Sequence, residues 1–412
     1  MSNTTHFLPV ILGTDSNAYG MAKAFHMAYG IKSLVVGQGK LFTTTRSKIL
    51  DVKIIDDFVN PELFAMRLIE LAKEKKKTYE KLILIASSDG YVELIVNNKA
   101  LLSEYYIVPF IDSPLMQTLN SKEGFYRTCE QYGLSYPLTR ILGPENLENL
   151  DGYIDGLPFE YPLVLKPSDS MRYFEAKFEG KQKAFIIDSR HQLMSVIKSI
   201  YASSYNGAMI LQEYISGDDT SMRVLNCVSG PDGKVALMVL GQPLLEDCTP
   251  SLIGNYTAII DAYDPSIFEE YKTFLESIGY IGFSNFDMKY DSKTGKFKVF
   301  EINLRQGRSS FFVTGSGYNQ AKALVDAFII EKNGEVVFGH QPHLWLGIPP
   351  KVLKTYLSDA TLKSRAETLI KAGKVSYTLY YDKDFDIIRH LKVYRYYKSY
   401  EDKYKKYFIK KN

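Results

Sequence analysis

Short apolar runs, separated by polar turns and amphipathic stretches, open the chain. Four of these runs predict β-strands: residues 8–12, Leu34–Val36, Val52–Ile55 and Leu82–Ala86. Between them, Pro61–Lys75 has the pattern of a helix, with a proline near its first position and lysines at its end. Because strands that alternate with helices are typical of a parallel sheet, we predict a doubly wound α/β domain over residues 1–112.

The remainder of the chain combines isolated strands, hairpins and helices. Strands are predicted at Tyr161–Lys166 and Ala208–Ile215, and helices at Leu193–Ser203 and Ile267–Gly279. Two pairs of runs predict hairpins: Met222–Val228 with Val235–Leu240, and Gly282–Tyr290 with Phe297–Asn303. This mixture indicates an α+β architecture after the N-terminal domain.

Composition narrows the class of protein. Hydrophobic residues make up 45% of the 412 residues and charged residues 24%, which excludes a disordered chain. Fifty basic and 47 acidic residues leave a net charge of +3, too balanced for a dedicated nucleic-acid binder. The three cysteines have no CxxC spacing. No apolar run approaches a membrane span of roughly 18 residues, and no signal peptide is visible, so we expect a cytoplasmic protein without a transmembrane segment.

The last 22 residues, 391–412, carry eight basic and two acidic side chains and six tyrosines. Such a segment suits nucleic acid or an anionic membrane surface, but its apolar residues also suit an amphipathic element. We expect it to close the C-terminal part of the fold rather than to act as a nucleic-acid arm.

The strongest chemical signal lies in the predicted hairpin at 282–305. Glu301 and Asn303 are two residues apart on one strand, so their side chains point to the same face. The hairpin would bring Asp287 of the preceding strand alongside them. Three oxygen donors on one face suit Mg²⁺. The alternative is that Asp287 and Glu301 are solvent-facing residues of an ordinary hairpin.

Two lysines and the end of one predicted strand add candidate nucleotide contacts to this predicted metal site. Lys166 ends an apolar strand and precedes a turn with Ser168, and from this position it could reach a phosphate as a point charge. Lys122 lies 44 residues upstream, and either lysine alone is more often a surface residue. The strand end Gln212-Glu213-Tyr214-Ile215 offers backbone donors and acceptors for an adenine edge. Asp219, after a glycine turn, could accept hydrogen bonds from ribose hydroxyls.

Taken in order, these residues resemble an ATP-grasp domain over residues 113–330. The matching segments are SKEGFYRTCEQYGLSYPLT, YPLVLKPSDS, LQEYISGDD, FDMK and VFEINLRQG. The resemblance implies a doubly wound N-terminal domain followed by a two-lobed ATP-grasp domain with a C-terminal extension. The implied boundaries are 1–112 for the first domain, 113–212 and 213–335 for the two lobes, with the metal site in the second, and 336–412 for an extension packed on the grasp domain.

Roles for individual residues follow from this resemblance. Lys122 and Lys166 would hold the α- and β-phosphates of ATP, and the 212–215 segment would hold adenine between the two lobes. Asp287, Glu301 and Asn303 would bind one or two Mg²⁺ ions, with Mn²⁺ as a substitute. One departure from the superfamily is that its glycine-rich phosphate loop is replaced by SDSMRYFEAKFEGKQKAF, in which Gly180 is the only glycine.

A narrower resemblance spans most of the chain. The segments PVILGTDSNAYGMAKAFHMAYG, TTTRSKIL and KPSDSMRYFEAKFEGKQKAF are similar to D-aspartate ligases of Gram-positive bacteria. That family implies an ATP-dependent, ADP-forming ligase of peptidoglycan synthesis. Such an enzyme couples the β-carboxylate of D-aspartate to the lysine side-chain amine of a UDP-linked muramyl pentapeptide. Two alternatives stay open: an ATP-grasp ligase with another amino acid or amine, as in dipeptide ligases, and a non-catalytic nucleotide-binding protein.

A dianionic acid needs cationic anchors, and the sequence shows no motif for a protein nucleophile. Arg305 is the first candidate to bind the substrate carboxylate or the transferring phosphoryl group, which makes it a catalytic candidate together with Lys166. Arg308 and Ser309 follow it and are candidates to contact substrate. Arg46 is a further candidate, with a surface arginine as the alternative.

The first βα turn is a second candidate region for substrate binding, since α/β sheets commonly bind ligands there. Its candidates are Thr14, Asp15, Asn17 and Tyr19. The alternative is a capped turn, in which Asp15 or Asn17 serves the helix N-terminus.

Overall fold

The computed structural model describes residues 6–168, 170–250, 252–332 and 334–410. The chain divides into two compact units. Unit 1 is built from the chain up to Leu134, from Gly217–Met288 and from Glu301 onward, and unit 2 from Ser135–Ser216 and Lys289–Phe300. The four-part division at residues 112, 212 and 335 stays a prediction.

A parallel sheet forms the N-terminal part of unit 1. Its strands are β1 (Phe7–Leu12), β2 (Ser33–Gly37), β3 (Leu50–Ile54) and β4 (Lys81–Ala86), in the order β3-β2-β1-β4. The helices of this part are α1 (Ser16–Tyr29), α2 (Pro61–Lys75), α3 (Asp89–Asn97), α4 (Lys99–Leu102), α5 (Ser113–Asn120) and α6 (Lys122–Gln131). Every residue of β1 is buried, as expected for a central parallel strand. The doubly wound domain predicted from the sequence is confirmed.

The helical segment that follows β4 is interrupted. Asn98 separates α3 from α4. The Asn98 side-chain amide donates to the carbonyl of Leu94 at 2.9 Å. Asparagine side chains compete in this way with backbone hydrogen bonding, which ends the first helix.

Unit 2 contains a four-stranded antiparallel sheet. Its strands are β5 (Thr139–Leu142), β6 (Leu163–Pro167), β7 (Phe185–Ile187) and β8 (Met209–Glu213), in the order β5-β8-β6-β7. Its helices are α7 (Leu150–Asp155), α8 (Ser170–Glu175) and α9 (Arg190–Tyr201), with a 3₁₀ turn at Pro144–Asn149. Apolar side chains of the sheet and helices form a separate hydrophobic core. Asp169, in the turn after Lys166, lies outside the described residues.

A third sheet, of eight strands, completes the fold. Its strands are β9 (Met222–Ser229), β10 (Val235–Glu246), β11 (Tyr256–Asp261), β12 (Gly282–Asp291), β13 (Lys296–Asn303), β14 (Val337–Gly339), β15 (Leu344–Leu346) and β16 (Val375–Ser376). The order is β13-β12-β9-β10-β11-β15-β16, and β14 pairs with β10. The helices are α10 (Pro265–Ser277), α11 (Phe311–Gly315), α12 (Gln320–Phe328), α13 (Pro350–Tyr356), α14 (Ala360–Lys371) and α15 (Ile387–Tyr407), with 3₁₀ turns at Asp219–Ser221 and Asp382–Asp384.

The basic C-terminal segment is the packed helix α15. Val393, Tyr397, Tyr400 and Tyr404 are buried at a spacing of three or four residues, which is the spacing of one helix face. The Tyr404 hydroxyl donates to the carbonyl of Glu246 at 2.6 Å. The expectation of a packed amphipathic element is confirmed for this helix. Neither α15 nor any other helix in the described ranges combines the length and the apolar character that a membrane span requires.

The loop before α15 is anchored by the buried carboxylate of Asp384. Its Oδ2 accepts hydrogen bonds from the hydroxyls of Tyr19 at 2.8 Å and Ser47 at 2.9 Å, and its Oδ1 accepts from the backbone N–H of Lys48 at 2.5 Å. Arg389 Nε lies 3.4 Å from the same carboxylate. The Arg389 guanidinium also lies over the Tyr19 ring, 4.2 Å from its centroid. The C-terminal loop is thereby tied to α1 and to the segment that leads into β3.

Lys23 on α1 supports the same junction. Its Nζ donates to the carbonyls of Tyr377 at 2.8 Å and Tyr380 at 2.7 Å. Burial is the main cause that lowers the pKa of Lys23 to about 7. The lysine is therefore held by backbone carbonyls, with part of its preference for the charged form lost to burial.

The Asp384 cluster gives a stability prediction. Asp384→Asn should lower the free energy of unfolding by about 3 kcal/mol, because the buried Arg389 would lose its counter-charge. Urea unfolding followed by circular dichroism measures the difference. Asp382→Asn, at an exposed position in the same 3₁₀ turn, is the matched control and should change stability by less than about 0.5 kcal/mol. Equal effects of the two substitutions would contradict the anchoring role.

Candidate active site

Strands β12 and β13 bring oxygen-bearing side chains together in unit 1. Asp287 lies on β12, and Glu301 and Asn303 lie on β13, which neighbours β12 in the sheet. The Asn303 amide Nδ2 donates to Asp287 Oδ2 at 3.3 Å. The hairpin therefore brings Asp287 and Asn303 into contact, as its spacing predicts.

The Asp287 carboxylate lies in surroundings that disfavour a negative charge. Burial, and then the charge of Glu301, hold the pKa of Asp287 above its usual range. The neighbouring Tyr256 hydroxyl and the charges of Lys122 and Arg305 oppose this shift without cancelling it. Asp287 Oδ1 is buried and has no hydrogen-bond partner among the described residues. A hard divalent cation would satisfy this oxygen and offset the repulsion between the two carboxylates.

The protein donor set at this hairpin is small. Among the described residues, no group of three or more histidine, cysteine, aspartate or glutamate side chains could hold a metal ion. A cation here would have the carboxylates of Asp287 and Glu301 and the amide of Asn303 as its protein ligands. That set fits Mg²⁺, which usually keeps several waters and takes further ligands from substrate phosphates.

Lys122 lies beside the same carboxylates. It begins α6, where Ser121 caps the helix by accepting a hydrogen bond from the backbone N–H of Gly124 at 2.9 Å. The Lys122 Nζ lies 3.0 Å from Glu301 Oε2. The structure therefore places a cationic side chain next to the candidate metal ligands, where it could also neutralise a phosphate.

The two arginines after β13 have different partners. Arg305 Nη2 donates to Asp89 Oδ2 at 2.9 Å, and Arg305 Nε lies 2.8 Å from Asp89 Oδ1. Arg308 Nη2 donates to the Tyr396 hydroxyl at 3.2 Å. Ser309 is buried beside Arg308. The substrate roles of Arg305, Arg308 and Ser309 stay predictions.

In the first βα turn, the polar side chains hold the loop. Asp15 Oδ1 caps α1 by accepting from the backbone N–H three residues later at 3.0 Å. Thr14 Oγ1 donates to the carbonyl of Gly39 at 2.7 Å, and Asn17 Nδ2 donates to the carbonyl of Ser87 at 3.0 Å. The capped turn that the sequence left open is present, and substrate contacts by these residues stay predictions.

Tyr19 and Arg46 both contact the C-terminal loop. The Tyr19 hydroxyl donates to Asp384, as described above. Arg46 Nε and Nη2 donate to the two carboxylate oxygens of Asp386, each at 2.8 Å. This bidentate pair joins the TTTR segment to the residue that caps α15. A substrate role for either side chain stays a prediction.

Within unit 2, Lys166 and Gln212 face one another on neighbouring strands. Lys166 Nζ donates to Gln212 Oε1 at 3.1 Å, and Gln212 Nε2 donates to Thr139 Oγ1 at 2.9 Å. Ser168 donates to the carbonyl of Ala208 at 2.8 Å. Lys166, the candidate phosphate-binding lysine, is thus held by β8, whose end carries the candidate contacts to adenine.

The side chain of Glu213 is engaged inside unit 2. Its Oε1 accepts from the backbone N–H of Leu138 at 2.7 Å and also from Lys298 Nζ. Lys298 Nζ lies 3.0 Å from Asp291 Oδ2. Sequence reasoning missed Lys298, because its partner Glu213 is 85 residues away and no motif marks it. Glu213 therefore helps to position the strand end through Lys298.

The remaining candidates for nucleotide binding are Tyr214, Ile215 and Asp219. Tyr214 lies with its ring centroid 5.9 Å from Lys289 Nζ in unit 2, and Ile215 is buried. In unit 1, Asp219 Oδ2 accepts from the backbone N–H of Glu246 at 2.8 Å. Their contacts with a nucleotide stay predictions.

Comparison with known proteins identifies the family. No protein-family model matches the chain. The chain is 43% identical over 409 residues to the D-aspartate ligase of Enterococcus faecium (strain Aus0004), and the match covers 98% of this chain and 97% of that protein.

Solved structures show the same fold at lower identity. An N5-carboxyaminoimidazole synthetase from Staphylococcus aureus complexed with ADP has a TM-score of 0.58 and 15% identity, covering 84% of this chain and 80% of that chain. The biotin carboxylase domain of the Hydrogenobacter thermophilus 2-oxoglutarate carboxylase has a TM-score of 0.59 and 16% identity, covering 82% and 72%. An L-amino acid ligase from Bacillus licheniformis has a TM-score of 0.55 and 14% identity, covering 79% and 75%.

The structural likeness supports the ATP-grasp fold expected from the sequence, and the similarity over almost the whole chain identifies the family. The chain therefore belongs to the D-aspartate ligase family of ATP-grasp enzymes, the ATP-dependent, ADP-forming carboxylate–amine ligases that the sequence predicts.

Proposed function

We propose that this protein uses ATP to activate the β-carboxylate of D-aspartate and joins it to the lysine side-chain amine of UDP-MurNAc-pentapeptide, a peptidoglycan precursor. The 43% identity with the Enterococcus faecium D-aspartate ligase, in a match that covers 98% of this chain, supports the choice of acid. The choice of acceptor rests on the family resemblance.

Separate parts of the chain would bind the nucleotide. Lys122 and Lys166 would neutralise the α- and β-phosphates, and the strand end at 212–215 would contact adenine. Asp219 would accept hydrogen bonds from the ribose hydroxyls. The cross-strand bond between Lys166 and Gln212 supports this assignment, since it connects the phosphate and adenine candidates.

Asp287, Glu301 and Asn303 would hold Mg²⁺. The ion would neutralise phosphate charge during transfer of the γ-phosphoryl group. The buried Oδ1 of Asp287, which has no hydrogen-bond partner within the described ranges, supports this assignment, because such an oxygen is costly unless a ligand contacts it. Lys122, 3.0 Å from Glu301, would add positive charge at the same place.

The proposed chemistry needs no protein nucleophile. A β-carboxylate oxygen of aspartate attacks the γ-phosphorus, the bond to the leaving ADP breaks, and β-aspartyl phosphate forms. The lysine amine then attacks the acyl carbon, phosphate leaves, and the nitrogen loses a proton to give the amide. The protein's contribution would be positioning and charge neutralisation, for which Lys122, Lys166 and Arg305 are the candidates.

We expect the reaction to take place in the cytoplasm. Cys129, Cys227 and Cys248 are all free thiols. A chain without disulfides suits a reducing compartment. The observation that carries the whole proposal is the candidate metal cluster of Asp287, Glu301 and Asn303 with Lys122, in a chain 43% identical to a D-aspartate ligase.

The reaction itself is the first functional prediction. With ATP, Mg²⁺, D-aspartate and hydroxylamine, the enzyme should form aspartyl hydroxamate, ADP and phosphate, because an acyl phosphate is trapped by a strong amine nucleophile. With the muramyl pentapeptide instead of hydroxylamine, the amide should form at the lysine side-chain amine, as located by mass-spectrometric fragmentation. L-aspartate is the matched control acid.

Three results would count against parts of this proposal. Release of AMP and pyrophosphate would refute the acyl-phosphate route. Hydroxamate formed from L-aspartate but not from D-aspartate would remove the stereochemical assignment. Turnover with a free amino acid as the amine, but not with the muramyl peptide, would favour a dipeptide ligase.

Lys166 gives a prediction about phosphate binding. Lys166→Ala should reduce kcat/KM for ATP by about 100-fold or more, because the substitution removes a charge-assisted contact to the phosphates of ATP. Lys198→Ala, at an exposed position of α9 in the same unit, is the matched control and should leave the rate unchanged. Steady-state kinetics with ATP varied, together with thermal melting, separate a catalytic effect from unfolding. An unchanged rate for Lys166→Ala would exclude the phosphate role.

A further inference from the structure

A small cavity in unit 1 lies one side chain away from the candidate metal site. Tyr256 lines this cavity; burial, and then the charge of the neighbouring Asp287 carboxylate, raise the pKa of its hydroxyl. Ser16, from the start of α1, lines it on another side, and Arg308 and Tyr396 line it as well. The cavity is therefore next to the reaction centre proposed above but is formed in part by the C-terminal helix α15.

Arg308 lines this cavity with a guanidinium group, only part of whose N–H donors form hydrogen bonds within the described residues. A guanidinium has five N–H donors. Among the described residues, the one hydrogen bond of Arg308 is the bond from Nη2 to the Tyr396 hydroxyl at 3.2 Å. The side chain is partly buried. A cation in this position, with donors to spare, can bind a carboxylate through two parallel N–H···O bonds.

A chain of hydroxyls fixes the position of this arginine. Tyr396 accepts from Arg308, the Tyr396 and Tyr400 hydroxyl oxygens are 3.1 Å apart, and the Tyr400 hydroxyl donates to Asp247 Oδ2 at 3.0 Å. Because Asp247 can only accept as a carboxylate, the proton of Tyr400 points to it and the proton of Tyr396 points to Tyr400. The tyrosine oxygen facing Arg308 is left as an acceptor, which orients the guanidinium.

The size of the cavity limits what can enter it. It has about 30 Å³ of space for the centres of water-sized spheres. A space of this size holds only a few waters. A carboxylate group is of that size, whereas a nucleotide or a peptide is much larger.

We propose that Arg308 binds the carboxylate of the amino-acid substrate that is not phosphorylated, and that Tyr396, Tyr400 and Asp247 are positioning residues that orient Arg308 for this contact. This proposal rests on the proposed function, because it takes aspartate as the acid. The reacting β-carboxylate would lie toward the metal-site strand and the α-carboxylate toward α15. Selection of a dicarboxylic amino acid would then depend on the C-terminal helix.

The test compares aspartate with β-alanine, which is aspartate without its α-carboxylate and keeps the carboxylate that reacts. Hydroxamate formation is measured for both acids with the wild-type enzyme, Arg308→Ala and Tyr396→Phe. The wild-type enzyme should prefer D-aspartate over β-alanine in kcat/KM by roughly 100-fold. Arg308→Ala should reduce this preference by roughly 30-fold, as expected for loss of a charge-assisted hydrogen bond, with KM for ATP unchanged.

Tyr396→Phe tests the positioning role. It should raise KM for D-aspartate roughly fivefold, with kcat and KM for ATP changed by less than about twofold, because the arginine keeps its charge and loses only its orientation. Tyr394→Phe, on an exposed position of the same helix, is the matched control and should leave all constants unchanged. Arg308→Lys keeps the charge and should recover part of the preference if Arg308→Ala proves unstable in thermal melting.

The outcomes separate this proposal from the proposed function. Equal losses for aspartate and β-alanine in the Arg308 variants would overturn the carboxylate contact and leave the ligase assignment intact. No hydroxamate from the wild-type enzyme with D-aspartate would refute the proposed function by itself. If another acid is then found to be the substrate, the same comparison is made with its analogue lacking the second carboxylate. A substrate with a single carboxylate would overturn the proposal for Arg308.

Discussion

The site depends on the enforced proximity of negative charges at the β12–β13 hairpin. The hairpin holds Asp287 against Asn303 and puts Glu301 close enough to raise the pKa of Asp287. Two carboxylates in a partly buried position repel one another, and the protein offsets this with the charge of Lys122 and the neighbouring Tyr256 hydroxyl. The offset is incomplete, since one oxygen of Asp287 has no partner among the described residues. The hairpin is therefore built to receive further positive charge.

Much of this arrangement could be predicted from the sequence. The two-residue spacing of Glu301 and Asn303 follows from the alternation of side chains along a strand, and the turn between the two apolar runs brings Asp287 alongside. The parallel N-terminal sheet could also be predicted, because strands such as β1 are continuous apolar runs. Local periodicity and short turns carry both signals.

The rest depends on partners that are distant in sequence. Lys298 bonds Glu213 across 85 residues, Tyr19 bonds Asp384 across 365, and Tyr400 bonds Asp247 across 153. No spacing rule connects such pairs, so sequence reasoning could not place them. A compositional signal was present, since the chain has 31 tyrosines and one tryptophan. The structure gives several of these tyrosines a specific use, because their hydroxyls bond buried carboxylates while their rings pack in the core.

The junction of Lys23, Tyr19 and Arg389 with the loop at 377–386 has a consequence for synthesis on the ribosome. The chain is made from its N-terminus, so α1 emerges more than 340 residues before Asp384 and the carbonyls of Tyr377 and Tyr380. Until then, a lysine and a tyrosine on α1 lack the groups that bury them. The N-terminal layer of a nascent chain is thus incomplete until residues 377–389 have been synthesised, and a product terminated before them would expose this defect to cellular proteases.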